Sequence, residues 1–264
     1  EELGDVNNLC IALAIFFSFS AVALLAGLTA PYGRYYRGGV WGCLIPGKPA
    51  WIIQELPNLI MVVFCVYVVD GRPEEKTTAR PNQVLLGFFC FHYVYRTLIF
   101  PLRIRGGKPT AFVPFAMAFA FCTVNGYLQG RALTYLYAYP DSWLRTPQFL
   151  AGSVIFGVGW LTNFYHDSIL INLRKQTSKN DDDKTGYKIP TGGLFEYVSG
   201  ANFLGEIIEW TGFAIACWNL PAACFAVTTL FNIGPRAIQH HRWYLDHFKD
   251  RYPPQRRALI PFVL

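Results

Sequence analysis

Asn202, Glu206 and Glu209 fall at i, i+4 and i+7 in ANFLGEIIEW at 201–210, so they share one face of an otherwise apolar helix. Glu196 stands just before it, in the stretch YKIPTGGLFEYVSG at 187–200. If this helix lies in a bilayer, each carboxylate costs about 2.5 kcal/mol or more by insertion scales. Such groups face a bundle interior or a wet cavity, where their chemistry is to bind and orient a polar ligand.

The pattern recurs along the chain. Asn163 and Asp167 are spaced i, i+4, and Arg236, His240 and Tyr244 repeat that spacing near the C-terminal end. Gln54 and Glu55 precede Leu56 and Pro57, where a proline loosens a helix beside a carboxylate. His92, Tyr93 and Arg96 form a further cluster, and Asn125 pairs with Gln129. One such pair serves equally well as glue between helices. Six clusters together point to a cavity. Arg96, Arg103, Arg105, Arg174 and Arg236 would stand at its mouth, and guanidinium forks match phosphate. The deeper, aromatic-rich remainder suits an apolar substrate entering from lipid.

Several familiar devices are absent from the sequence. There is no GxGxxG opening a helix and no GxxxxGK[ST], and Gly157 and Gly159 read as helix packing. His166, His240 and His241 form no HExxH, His247 reads as surface, and no metal site is expected. The seven cysteines (10, 43, 65, 90, 122, 217 and 224) contain no CxxC and read as small core residues.

The elements that must position these groups follow from composition. The chain is 53% hydrophobic and 15% charged, against roughly 25% charged in soluble domains. Apolar runs at 8–29, 51–69, 83–101, 110–130, 148–171, 202–219 and 221–238 are each near the length that crosses a bilayer. The expected fold is all-α, a seven-transmembrane-helix bundle forming one domain over 1–264; a soluble helical bundle is the competing reading. With alternating sides, seventeen Lys and Arg fall on one face and five on the other, with Arg96 inside the third span. That asymmetry places the N-terminus outside or lumenal and the C-terminus in the cytosol. The net charge of +6 therefore reflects topology and gives no support for nucleic-acid binding. The first run reads as a retained span. Loop 172–201 is the longest connection, with Asp181, Asp182 and Asp183 at a solvated tip and Gly192 and Gly193 marking a turn. The C-terminal RYPPQRRALIPFVL is expected to fold back on the bundle or the interface.

At these residues the sequence resembles the steroid 5α-reductases (3-oxo-5α-steroid 4-dehydrogenases). WIIQELP at 51–57, HYVYRTLIFP at 92–101, FCTVNGYLQGR at 121–131, GGLFEYVSGANFLGEIIEW at 192–210, RAIQHHRWYL at 236–245 and the terminal RRALIPF carry the resemblance. It runs over about 50–264, with a variable first span over 1–45. The resemblance implies a seven-span integral-membrane oxidoreductase, in the endoplasmic reticulum of a eukaryote or the inner membrane of a bacterium. The implied activity is NADPH-dependent reduction of the 4,5 double bond of a 4-ene-3-oxo steroid. Glu55, with Gln54 beside it, and Tyr93 would meet the 3-oxo group. NADPH would be held by Arg96, Arg105, Asn163, Asp167, Arg174, Tyr187, Asn202, Glu206, Arg236, His240 and Tyr244. A Tyr hydroxyl and a protonated Glu could donate hydrogen bonds to a developing oxyanion in a dry site. Glu209 would stand behind that set. A monomer among membrane lipids is expected.

The sequence departs from the family pattern in places. It reads Asn163-Phe-Tyr-His166-Asp167 where relatives often have Asn-x-His-Ser-Asp, and Gln239 where animal relatives often have His. A reductase of the same superfamily acting on enoyl-CoA or a sterol ring double bond is the nearest alternative. An S-adenosylmethionine-dependent methyltransferase, or a non-enzymatic sterol-binding protein or transporter, lies further off.

Overall fold

The computed structural model describes residues 1–29, 35–36, 38–68, 79–104, 106, 108–173 and 187–264. Arg105, Arg174 and the acidic tip at 181–183 lie outside the described residues. Helices make up most of the chain: α1 (Glu2–Leu25), α2 (Gly47–Glu55), α3 (Pro57–Tyr67), α4 (Arg80–Val94) and α5 (Phe100–Arg103) come first. They are followed by α6 (Phe112–Arg131), α7 (Pro147–Leu173), α8 (Ala201–Cys217) and α9 (Leu220–Phe248). A two-residue antiparallel ladder, β1 (Leu44–Ile45) with β2 (Thr110–Ala111), ties together the chain entering α2 and α6.

Among the described residues, four helical stretches are long and apolar enough to cross a membrane: Glu2–Leu25, Gly47–Tyr67, Arg80–Arg103 and Phe112–Leu136. They match the first four runs read from sequence. Helices α7, α8 and α9 cover the last three, and α9 continues ten residues beyond the expected end at 238. Helix α7 has two chemically different faces. Leu150, Val154, Val158, Leu161 and Tyr165 are exposed along one side. Phe156, Asn163, His166 and Asp167 are buried along the other. Polar residues on that inner face dilute the apolar signal of the helix as a whole.

Two local breaks shape the interior. Pro57 has no N–H to give to the preceding turn, so α2 ends at Glu55 and α3 begins after Leu56. Between α4 and α5 the helix widens into a π turn over Tyr95–Ile99. The Arg96 carbonyl accepts a hydrogen bond there from Trp51 Nε1 at 3.1 Å. Such turns are frequent at functional sites because they re-aim one side chain without ending the helix.

The core lies where α4, α8 and α9 meet. Phe89, Trp210 and Phe213 are fully buried, and the Trp210 and Phe225 rings are 4.3 Å apart. Helices α8 and α9 are joined through Trp218, whose φ of 50° is left-handed, and Asn219, whose side chain accepts from Ala222 N at 2.9 Å. Helices α7 and α8 run antiparallel with their backbones nearly touching. A Cβ on Gly159 would lie 2.1 Å from Glu209 N, and one on Gly205 would lie 2.4 Å from Asn163 N. Small residues at such crossings let polar side chains of two helices reach one another.

Candidate functional site

The close crossing of α7 and α8 builds the first half of the site. Asn163 Nδ2 donates to the Asn202 carbonyl at 2.9 Å, and Asn202 Nδ2 donates to Asp167 Oδ1 at 3.0 Å. Arg96 enters this group from the π turn of α4. Its Nη1 donates to Asp167 Oδ2 at 2.8 Å and its Nη2 to Glu206 Oε2 at 3.3 Å. The guanidinium lies over the rings of Phe100 and Trp51, with centroids at 4.5 and 5.1 Å. Five residues expected at the site, Arg96, Asn163, Asp167, Asn202 and Glu206, therefore form one connected network. Among the described residues, no group of three or more His, Cys, Asp and Glu is placed to hold a metal.

The second half lies between α2, α3, α4 and α6. Glu55 is partly accessible, and Cys122 Sγ approaches its Oε2 at 3.7 Å. Asn58 Nδ2 donates to the Glu55 carbonyl at 3.4 Å, and Asn125 Nδ2 donates to Asn58 Oδ1 at 3.1 Å. Asn125 also reaches the Tyr93 hydroxyl at 3.5 Å. Tyr93 is buried, its ring packed against Phe89 at 4.7 Å and Trp210 at 5.9 Å. Glu55 lies within electrostatic reach of Arg96, Glu206 and His92, so the two halves adjoin.

The remaining expected residues divide into groups. His240 faces α8 and meets the Phe203 ring, next to Asn202, at 5.4 Å. Arg236 lies one turn earlier on α9, beside Pro235 within the helix. Tyr187 and Tyr244 belong to a separate aromatic cluster with Trp243, Phe248 and Tyr252. The Tyr244 and Tyr252 rings stack at 5.3 Å. Arg103 is turned toward α7, where it bonds the Tyr95 hydroxyl and Ser168 Oγ, the latter at 2.7 Å.

Spacing along the chain does not supply the partners of Glu209, of His166 or of the C-terminal segment. Glu209 is fully buried, and its Oε1 meets His92 Nδ1 at 2.7 Å. His166, displaced from the family position, donates through Nδ1 to the Thr162 carbonyl at 2.7 Å. Its Nε2 accepts the Leu194 N–H at 2.8 Å, which pins the loop entering α8. Gly193 there has a left-handed φ of 57°, and a Cβ would meet His166 Nε2 at 2.7 Å. The C-terminal segment folds back onto the same loop. Ser199 N–H donates to the Arg257 carbonyl at 2.8 Å, and Arg256 Nη1 donates to the Pro190 carbonyl at 2.8 Å. Ser199 Oγ lies 2.6 Å from Nδ1 of His241 and 2.7 Å from the hydroxyl of Tyr252, both beyond the seventh run. Burial and the Arg257 charge hold the His241 imidazole below its ordinary range, and burial pushes the Tyr252 phenol up. The sequence signal for this clasp was the terminal RRALIPF block.

Comparisons with known proteins extend the likeness along the chain. A family profile described as 3-oxo-5-alpha-steroid 4-dehydrogenase matches residues 108–264. The chain is 46% identical to 3-oxo-5-alpha-steroid 4-dehydrogenase 1 of Rattus norvegicus over 269 residues, covering 99% of each. The corresponding protein of Mus musculus is 46% identical over 267 residues, covering 98% of this chain and 100% of the relative. The 3-oxo-5-alpha-steroid 4-dehydrogenase 2 of Homo sapiens is 41% identical over 251 residues, covering 95% and 94%. Alignments of this extent also take in the first span, which the motifs had left out. With a profile match over 108–264 and relatives above 40% identity along nearly the whole chain, the protein belongs to the 3-oxo-5-alpha-steroid 4-dehydrogenase family.

Proposed function

We propose that this protein reduces the 4,5 double bond of 4-ene-3-oxo steroids to 5α-3-oxo steroids, using NADPH, inside a seven-helix membrane bundle. The observation that carries the reading is the adjacency of two unlike polar sites in one apolar core. One holds Glu55 and Tyr93. The other holds Arg96, Asn163, Asp167, Asn202 and Glu206. The donor set of the second fits a nicotinamide nucleotide. Amides and carboxylates of this kind hydrogen bond ribose hydroxyls and a carboxamide, while Arg96 and Arg236 supply the cationic groups that phosphate needs and His240 adds an imidazole that can hydrogen bond. Tyr187 and Tyr244 would lie at the outer edge of that site. Arg105 and Arg174 complete the proposed set.

The chemistry the cofactor would supply when bound is a hydride to C5, which leaves negative charge on the 3-oxo oxygen until a proton taken up from solvent at C4 completes the reduction. Tyr93 and a protonated Glu55 stabilise that oxygen by donating hydrogen bonds within a water-poor core. Gln54 flanks Glu55 at the same helix end. The exposed apolar face of α7 supports a membrane position for this helix and, with α8 and α9, a count of seven spans. The surplus of Lys and Arg on alternate loops supports a cytosolic C-terminus and a lumenal N-terminus, in the endoplasmic reticulum if the host is eukaryotic. The substrate then enters from lipid.

The test is NADPH oxidation by purified protein with testosterone, progesterone and an enoyl-CoA in parallel, with product stereochemistry determined. Steroid-dependent oxidation giving the 5α product is expected. Tyr93→Phe should lower turnover about 10²–10³-fold, as removal of an oxyanion donor does, and Glu55→Gln, which keeps an N–H donor but loses the acidic O–H, should lower it as well. NADPH binding should survive in both. Oxidation with the enoyl-CoA alone would move the protein to another substrate class.

A further inference from the structure

Tyr93 can donate to a substrate carbonyl only if its own proton is not already committed inside the protein. The polar ladder around it decides that point, because both ends of the ladder rest on backbone carbonyls, which can only accept. At one end Gln129 Nε2 donates to the Pro221 carbonyl at 2.9 Å. The same nitrogen donates to Asn125 Oδ1 at 3.3 Å. At the other end Asn58 Nδ2 donates to the Glu55 carbonyl at 3.4 Å, which turns Asn58 Oδ1 toward Asn125. Both anchors impose the same orientation on the Asn125 amide. Its oxygen faces Gln129, and its NH₂ group faces Asn58 Oδ1 at 3.1 Å and the Tyr93 oxygen at 3.5 Å.

An amide nitrogen has no lone pair to accept with, so at this contact the Tyr93 oxygen is the acceptor. We infer that Asn58, Asn125 and Gln129 are positioning residues that polarise the ladder toward Tyr93 and leave its O–H free to point at the substrate oxygen. An orphan atom supports this assignment. Gln129 Oε1 is buried and has no hydrogen-bond partner among the described residues. Turning the Gln129 amide over would set Oε1 against the Pro221 carbonyl and Asn125 Oδ1, two acceptors. The orphan oxygen is therefore the lesser cost of keeping the ladder running in one direction. All three amides are buried, so water does not compete for these bonds.

The inference rests on the proposed steroid reduction, and a double-mutant cycle tests the two separately. In full-length protein purified in detergent, Asn125→Leu should lower kcat about tenfold. The KM for NADPH should stay unchanged. In the Tyr93→Phe background the same substitution should change kcat by less than about twofold, because no hydroxyl remains to orient. Gln129→Met, of similar volume and one bond further from the substrate, should behave alike with a smaller loss; it provides the reading if Asn125→Leu does not fold. An equal loss from either substitution with and without the Tyr93 hydroxyl would overturn the inference, as would unchanged kcat in the single variants. Absence of steroid-dependent NADPH oxidation by the wild-type protein would instead overturn the functional reading beneath it.

Discussion

Glu209 Oε1 lies 2.7 Å from His92 Nδ1, one helical turn from the contact between Glu206 and Arg96. His92 and Arg96 are four apart on α4 and its π turn, and Glu206 and Glu209 are three apart on α8. The two helices are thus joined by two successive polar pairs on facing stripes. The outer pair belongs to the network of Asp167 and Asn202. The inner pair is enclosed by aromatic rings, with Trp210 4.5 Å and Tyr93 5.0 Å from the His92 imidazole. Glu209 Oε2 has no hydrogen-bond partner among the described residues, so the whole polar satisfaction of this carboxyl comes from His92.

That dependence makes the pair strongly coupled. Glu209→Leu or His92→Leu alone leaves one buried polar group unpaired and should cost about 1–3 kcal/mol. The double variant should cost less than the sum of the two, because a buried pair replaced by apolar groups is close to neutral. Thermal midpoints of the four proteins in one detergent give the coupling energy. Additive losses would show that His92 and Glu209 do not act as a pair.

The crossing of α7 and α8 leaves no room for a methyl group. Gly159→Ala would drive a Cβ to 2.1 Å from Glu209 N, and Gly205→Ala one to 2.4 Å from Asn163 N. Each should destabilise by about 1–3 kcal/mol. Each should also weaken NADPH binding, since Asn163 and Asn202 meet at this crossing. Gly157→Ala is the control. Nothing lies within 4 Å of its Cβ position, and helix propensity favours Ala by about 1 kcal/mol. A Gly159→Ala protein as stable as Gly157→Ala would contradict the close approach.

The difference between these glycines marks how far sequence reading reaches. Gly157 and Gly159 look alike in an apolar run, and only the partner helix distinguishes the spacious position from the tight one. The helical spans and the i, i+4 faces follow from local periodicity, so Asn163 with Asp167 and Asn202 with Glu206 could be read directly. The π turn at Arg96 could not, nor could the hydrogen bond its carbonyl accepts from Trp51, 45 residues away. Asn58, beside QELP, carries no such local signal, because its partners are on other helices. Tyr187 and Tyr244 are legible as residue types near the right motifs, whereas the aromatic cluster they share with Trp243, Phe248 and Tyr252 depends on packing between distant parts of the chain.

Arg96 balances two carboxylates, and that balance should dominate its variants. Arg96→Met leaves Asp167 and Glu206 facing each other with no cation between them. A loss of about 3–5 kcal/mol is expected, the scale for breaking a buried pair from one side. Arg96→Lys should recover only part of it, because one ammonium cannot replace a fork that bonds Asp167 and Glu206 from separate nitrogens. Adding Asp167→Asn to Arg96→Met should restore thermal stability without restoring NADPH affinity. Recovery of both would mean that Arg96 acts on stability alone.

The clasp at Ser199 sets a pH dependence whose sign is fixed by His241. Its imidazole is held below the ordinary value of 6.5 by burial and by Arg257, so the unfolded chain takes up a proton before the folded one does. The stability that the clasp contributes is therefore intact above about 6.5 and is lost as pH falls through the lower folded value. Ser199 immediately precedes Gly200 and α8, so a loosened clasp should also release the end of α8 that presents Asn202. Acidification from neutral pH should lower the thermal midpoint and weaken NADPH binding together. His241→Gln, which keeps a hydrogen-bonding amide but does not titrate, should flatten both slopes in the window just below 6.5. The Tyr252 phenol, pushed up by burial, stays protonated throughout that window and serves as a constant partner for Ser199. An undiminished acid slope in the His241→Gln protein would assign the pH dependence to another group.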